Sequence, residues 1–187
     1  MVQQQMKKRK TVEKRERKAK RRRVRTIRNY ALLGLAVVAG AVGVYLILAG
    51  VGKPGTYVRS LGNQHVPDPD FPHAPYNSDP PTSGPHLSYI ARWGVHDEPI
   101  PKELQVHNLE DGGVVIQYNR NADPDAISKL AEIVDQYREG VIVAPYPEMD
   151  SPIALTAWTR IQKLDKFDKD KIERFIRSYR GIDHHVQ

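Results

Sequence analysis

Residues 113–145, GVVIQYNRNADPDAISKLAEIVDQYREGVIVAP, hold two strand-length apolar runs around a helical pattern. Gly113 to Tyr118 is rich in β-branched residues, which suit a pleated, buried surface. Asp123-Pro124 then reads as an N-cap followed by proline at the first helical position, where the missing N–H costs nothing. Ile127, Leu130, Ala131 and Val134 recur at i, i+3, i+4 and i+7, one face of a helix. Gly140 is expected to end that helix in the left-handed conformation. Val141 to Ala144 gives a second strand, so the stretch predicts a β-α-β unit with parallel strands.

Outward from this unit the pattern weakens on one side and continues on the other. Ile153 to Trp158 (IALTAW) fits a third strand or a short helix. Asp168 is placed to cap a last helix, where Ile172, Phe175, Ile176 and Tyr179 repeat the helical spacing before Gly181. Upstream, Pro54 to Pro101 contains ten of the fourteen prolines, which excludes regular helix over most of that stretch. Tyr57, Phe71, Tyr76, Tyr89, Ile90 and Trp93 nonetheless call for burial. The expectation is an α/β (or α+β) domain: a small sheet with a β-α-β unit and a C-terminal helix at residues 113–187, wrapped by a proline-rich irregular arm at 52–112.

The N-terminal quarter is of another kind. Residues 1–30 carry 14 Lys and Arg against Glu13 and Glu16, a net +12, so the remaining residues net −5 of the chain's +7. Basicity belongs to a tail, and no nucleic acid partner is expected from a domain that is itself acidic. Ala31 to Val51 then runs 21 residues without a charge, long enough for one helix to cross a hydrocarbon core of about 30 Å. Cations before it and Lys53 alone just after it orient the N-terminus inside. A cleavable signal peptide is the competing reading, but the 30-residue basic region and the length of the apolar run fit an anchor better. The expected organisation is a cytoplasmic tail (1–30), a transmembrane helix in lipid (31–51) and an extracytoplasmic domain on a single-pass cell-membrane protein. The absence of cysteine excludes disulfides, thiolate metal sites and thiol catalysis.

Seven histidines are the residues with most chemistry to offer, and five lie between 65 and 107: His65, His73, His86, His96 and His107. Imidazole is the usual ligand of zinc, copper and nickel. In His107-Asn108-Leu109-Glu110-Asp111-Gly112-Gly113, an extended chain would put His107 and Asp111 on one face and Glu110 on the other.

The segments His65-Val66, Tyr76 to His86 (YNSDPPTSGPH), Trp93-Gly94-Val95, His107 to Val114 (HNLEDGGV) and Pro152 to Trp158 (PIALTAW) resemble the bacterial family catalogued as domain of unknown function 3105. The resemblance covers roughly residues 57–180 and implies export or membrane anchoring. The family motif usually reads H-x-L-E-H-G-G, and Asp111 stands here where a second histidine is expected. A metal-binding reading of these residues takes His65, His86, His107 and Asp111 as the preferred ligands, with Glu110 second and Met149 as a soft thioether. Copper is the leading ion and zinc the runner-up, Asp111 moving the preference from copper(I) toward harder ions. The alternative is a structural or adaptor subunit of a membrane complex, with a membrane protein as partner. Hydrolysis through Ser83, His86 and the Glu110–Asp111 pair is a third reading, set back because Ser83 lacks a nucleophile-elbow context.

Overall fold

In the computed structural model of the chain, the described residues are 20, 23, 25, 27–45 and 52–185. They fall in two compact units, Met1–Gly52 and Lys53–Gln187. In the first, helix α1 (Ile27–Tyr45) has a mean hydropathy of 1.6 and is long and apolar enough to cross a membrane by length and composition, a test that a signal sequence also passes. Residues 46–51 of the expected span, and most of the basic tail, lie outside the described residues.

The second unit is a six-stranded mixed sheet with helices, in the order β1 (Thr56–Tyr57), β2 (Gly94–Val95), α2 (Lys102–Glu110), β3 (Val114–Tyr118), α3 (Pro124–Val134), β4 (Val141–Pro145), β5 (Ile153–Ala157), β6 (Arg160–Leu164) and α4 (Lys169–Tyr179). Across the sheet the strands run β1-β6-β5-β3-β4-β2. β3 and β4 pair in parallel from Val114↔Val141 to Tyr118↔Pro145, the β-α-β unit expected from the sequence. β2 extends the parallel half, while β5, β6 and β1 form an antiparallel half. The open choice for Ile153 to Trp158 is thereby resolved as a strand, at the centre of the sheet.

Successive side chains of a strand point to opposite faces, and both faces here are covered. Val114, Ile116, Val141, Val143 and Leu155 pack with Leu130 and Val134 of α3 and Ile172, Phe175 and Ile176 of α4. On the opposite face Val115, Ile142 and Ala144 meet Val106 and Leu109 of α2, Ala91 and Ile100 of the arm, and Trp158. Caps fix the helix starts as read: the Asp123 side chain accepts from Asp125 N ahead of Pro124, and that of Asp168 from Lys171 N.

Three expectations need correction. Of the arm residues expected to be buried, Tyr57, Phe71, Tyr89 and Ile90 are exposed, and only Tyr76 and Trp93 pack against the core. Gly140 does not stop α3: the helix ends at Val134 and tightens through Gln136 N to Ile133 O (3.2 Å) and Tyr137 N to Val134 O (2.9 Å). Gly140, at φ +79°, instead turns the chain into β4. The arm is also not irregular to residue 112, because Lys102–Glu110 is helical. The sequence hid α2 because both polar and apolar residues of its second half are buried, from Gln105 to Glu110, so no apolar stripe marks its inner face.

Candidate metal centre

Three segments far apart in the chain converge at the Gly113 end of β3. The first is the run from Pro80 to Leu87, buried throughout although it has almost no regular structure. Its backbone polar groups are satisfied locally, as burial demands: Gly84 N donates to Gly62 O (2.9 Å), His86 N to Gln64 O (2.9 Å) and Thr159 N to Thr82 O (3.0 Å). The isolated parallel bridge between His65 and His86 sets those two residues side by side. The Tyr76 hydroxyl donates to Pro85 O at 2.6 Å and braces the run from outside.

The second segment is α2, which delivers His107 and Glu110 one turn apart. Its position is fixed by Asn108, whose amide exchanges both hydrogen bonds with the backbone of Ala91 (2.9 Å each). The glycine pair that follows is steric in origin. A Cβ on Gly113 would stand 2.4 Å from Asn108 O and 2.7 Å from the Trp93 ring, and Gly112, at φ +77°, lies against the backbone of Ile182. Only glycine permits that approach. The third segment is the C-terminal stretch after α4, held by Gly181 N to Gly112 O (2.8 Å) and His184 N to Glu110 O (2.9 Å). The His184 ring stacks on Trp158 at 5.9 Å.

The Glu110 carboxylate is the hub. Its Oε2 lies 2.9 Å from His86 Nε2, 4.0 Å from His65 Nε2 and 4.0 Å from His107 Nδ1. One ligand atom from each of His65, His86, His107 and Glu110 falls within 4.8 Å of all the others. Ligands of a tetrahedral zinc stand about 3.3 Å apart for metal–nitrogen bonds of about 2.0–2.1 Å; the 2.9 Å and 4.0 Å separations about Glu110 Oε2 bracket that distance, and His65 and His107 would draw inward around an ion. His86 and Glu110 are 0% and 1% exposed, His107 is 8% exposed, and the His65 side chain is about half exposed. Solvent therefore meets the cluster on the His65 side.

Hydrogen bonding singles out the same atoms. His86 Nδ1 sits 2.7 Å from Gly84 O; a carbonyl only accepts, so Nδ1 carries a proton and donates. In the neutral ring Nε2 then presents a lone pair to the Glu110 oxygen 2.9 Å away, a contact that needs a proton or a metal ion between the two. A histidine anchored through one nitrogen and offering the other is the usual arrangement of a metal ligand. His107 Nδ1 and Glu110 Oε1 are buried without a hydrogen-bond partner among the described residues. Leaving such groups unpaired costs about 1–3 kcal/mol, more for a charged one. Burial pushes the His107 pKa down, against the pull of Asp111, which favours the neutral ring that a metal requires.

The remaining predicted residues fall elsewhere. Asp111 lies on the outer side of His107, with Oδ1 3.7 Å from His107 Nε2 and 3.3 Å from His185 Nε2. Because α2 is helical and not extended, it is Glu110, three residues on, that faces the buried histidines beside His107, and Asp111 takes the rim. Met149 is buried with Tyr146 and Ala154, and Asn119 Nδ2 donates to its carbonyl (2.9 Å). That is the Tyr118 end of the sheet, separated from Gly113 by roughly 17 Å of strand at about 3.3 Å per residue. Ser83 is fully buried and its Oγ accepts from Leu61 N at 3.0 Å, while both nitrogens of His86 face Gly84 and Glu110. No hydroxyl–imidazole pair for hydrolysis forms there. His184 and His185 were not singled out by sequence reasoning, since they follow the last helix and belong to neither motif.

A family model described as protein of unknown function (DUF3105) matches residues 72–186. Neither a curated protein nor a solved structure matches the chain.

Proposed function

The chain belongs to the DUF3105 family, and we propose that it is a membrane-tethered domain that holds one divalent transition-metal ion through His65, His86, His107 and Glu110. The observation that carries this reading is the Glu110 carboxylate, 1% exposed, with one oxygen within 4.0 Å of nitrogens of His65, His86, His107 and, from the solvent side, His185, and the other oxygen without a partner among the described residues. A buried carboxylate is tolerated where cations compensate it. Three imidazoles and one carboxylate suit zinc(II) or copper(II). Copper(I) is disfavoured, because the one thioether considered, Met149, packs at the other end of β3. The half-exposed His65 is the ligand through which an ion enters and leaves.

The test uses the full-length chain, purified in detergent without a polyhistidine tag and stripped with a chelator. One equivalent of zinc or copper should be retained through gel filtration, and His86→Ala and Glu110→Gln should retain none. A wild-type protein that binds neither ion, and shows no thermal shift with either, would end the proposal.

The proposal includes the topology read from the charge distribution, with residues 1–30 in the cytoplasm and the metal-binding unit outside. The cysteine-free sequence makes this simple to check. A membrane-impermeant maleimide applied to intact cells should label Ser88→Cys, which is exposed, and leave Gln4→Cys unlabelled. The opposite pattern would invert the assignment.

A second reading draws on the 2.9 Å contact of His86 with Glu110. With His86 protonated, the pair is a buried ion pair that ties the arm to α2, as an adaptor without a metal would require. Under that reading chelation leaves the melting temperature unchanged, whereas His86→Ala lowers it.

A further inference from the structure

His107 has two ring nitrogens, and only Nδ1 faces the Glu110 cluster. Its Nε2 points outward, 3.7 Å from Asp111 Oδ1, and the two lone-pair directions of an imidazole diverge too widely to serve one ion. His185 closes the outer group. Its Nε2 is 3.3 Å from Asp111 Oδ1 and 3.6 Å from Glu110 Oε2, and its ring centroid is 5.8 Å from that of His107. Ligand atoms of His107, Asp111 and His185 all lie within 4.8 Å of one another.

His185 repeats, on the surface, the arrangement of His86 in the interior. Its Nδ1 is 2.7 Å from Asp183 Oδ1, so Nδ1–H donates to that carboxylate and Nε2 is left to ligate, the carboxylate–histidine pairing typical of metal sites. Two backbone bonds from Gly181 and His184, to Gly112 and Glu110, set His185 there. The C-terminal stretch is thus pinned to the family motif at the point where its last described histidine reaches Asp111.

We propose that the chain takes a second divalent cation at His107, Asp111 and His185, with the His107 ring bridging it to the first. The inference rests on the metal-binding reading above. Two imidazole nitrogens and one carboxylate oxygen, completed by water, suit zinc(II) or copper(II). Asp111 and His185 are 30% and 41% exposed at their side chains, and a cleft of about 270 Å³ opens beside Asp111 and Asp183, lined also by Trp93 and Arg180. With His86 and Glu110 fully buried, the inner ion is the one retained; the outer one, with Asp111 and His185 both partly in solvent, exchanges faster. Bridging requires His107 to lose its remaining N–H proton, so loading the second ion releases that proton to solvent.

The same detergent-purified, tag-free, full-length protein is stripped and titrated with zinc, with bound metal counted after equilibrium dialysis and after gel filtration. The expected result is two ions per chain at equilibrium and one after filtration. Asp111→Asn and His185→Ala should each remove the weaker ion and keep the stronger, and Asp183→Asn should weaken the outer ion by about 10-fold. With copper(II), the second equivalent should diminish the isolated-ion electron paramagnetic resonance signal through coupling across the bridge. Saturation at one ion, unchanged in Asp111→Asn and His185→Ala, overturns the second site and leaves the first standing. Loss of the single ion in His185→Ala also overturns it, by making His185 a ligand of the inner site. Binding of no ion overturns the metal-binding reading itself.

Discussion

On one face of the sheet Val114, Ile116, Val141, Val143 and Leu155 meet α3 and α4 in a mainly apolar cluster, with Gln162, opposite Leu155, as a polar neighbour. On the other, Val115 and Ile142 share the interior with Gln105, Asn108, Gln117 and Thr156, all within 1% of full burial. Gln117 meets Gln105 and Thr156, and Asn108 closes on Ala91. An apolar face tolerates imprecision, since burial energy follows area and not direction. A buried polar face does not, because each group must find its partner at the right distance and angle. The α3–α4 side therefore holds the domain together, and the α2–arm side spends its specificity on placing three histidines and a carboxylate.

That division can be broken at several points. Phe175→Ala, at a fully buried position among Ile172, Ile176 and Tyr179, should cost about 3–5 kcal/mol in urea denaturation and leave the metal content of each folded molecule unchanged. Metal loss preceding unfolding in that variant would show the two faces to be energetically one. Glu110→Gln should act in the reverse sense. Zinc at about 100 times its dissociation constant stabilises a binding protein by about 2.7 kcal/mol; calorimetry should record that gain in the wild type and none in the variant.

Gly113→Ala probes the seam between the faces, where the new methyl meets Asn108 O and Trp93. A loss of about 1–3 kcal/mol is expected from overpacking, together with weaker metal binding, because α2 must shift to accommodate it. Retained affinity in that variant would mean that the cluster does not depend on the α2–β3 junction. The smallest change expected is for Asp123→Ala, which removes the cap of α3: about 1 kcal/mol, with metal binding intact.

The two regions also differed in how much of them could be read beforehand. Ile127, Leu130 and Val134, and Ile172, Phe175 and Tyr179, announce their helices because a helix that covers a sheet must show a periodic apolar face. α2 carried no such signal. Helical geometry puts His107 and Glu110 together at i and i+3, whereas the extended reading put His107 beside Asp111 and separated it from Glu110. Thr56–Tyr57 and Gly94–Val95 are strands of two residues each, too short for any period to appear, and they form only because β6 and β4 offer edges to pair with.

From the sequence alone came the apolar N-terminal segment, the β-α-β unit, the capped last helix, the family, and the histidines worth watching, because each depends on composition or on neighbours a few residues away. The meeting of His65, His86, His107 and Glu110 depends on contacts across 21 to 45 positions of chain, fixed by a short parallel bridge, an asparagine clamp and two glycines. The arrival of His185 beside Asp111 spans longer still. Local chemistry is written in local sequence; which distant ligands share a carboxylate oxygen is settled only when both faces of the sheet have closed.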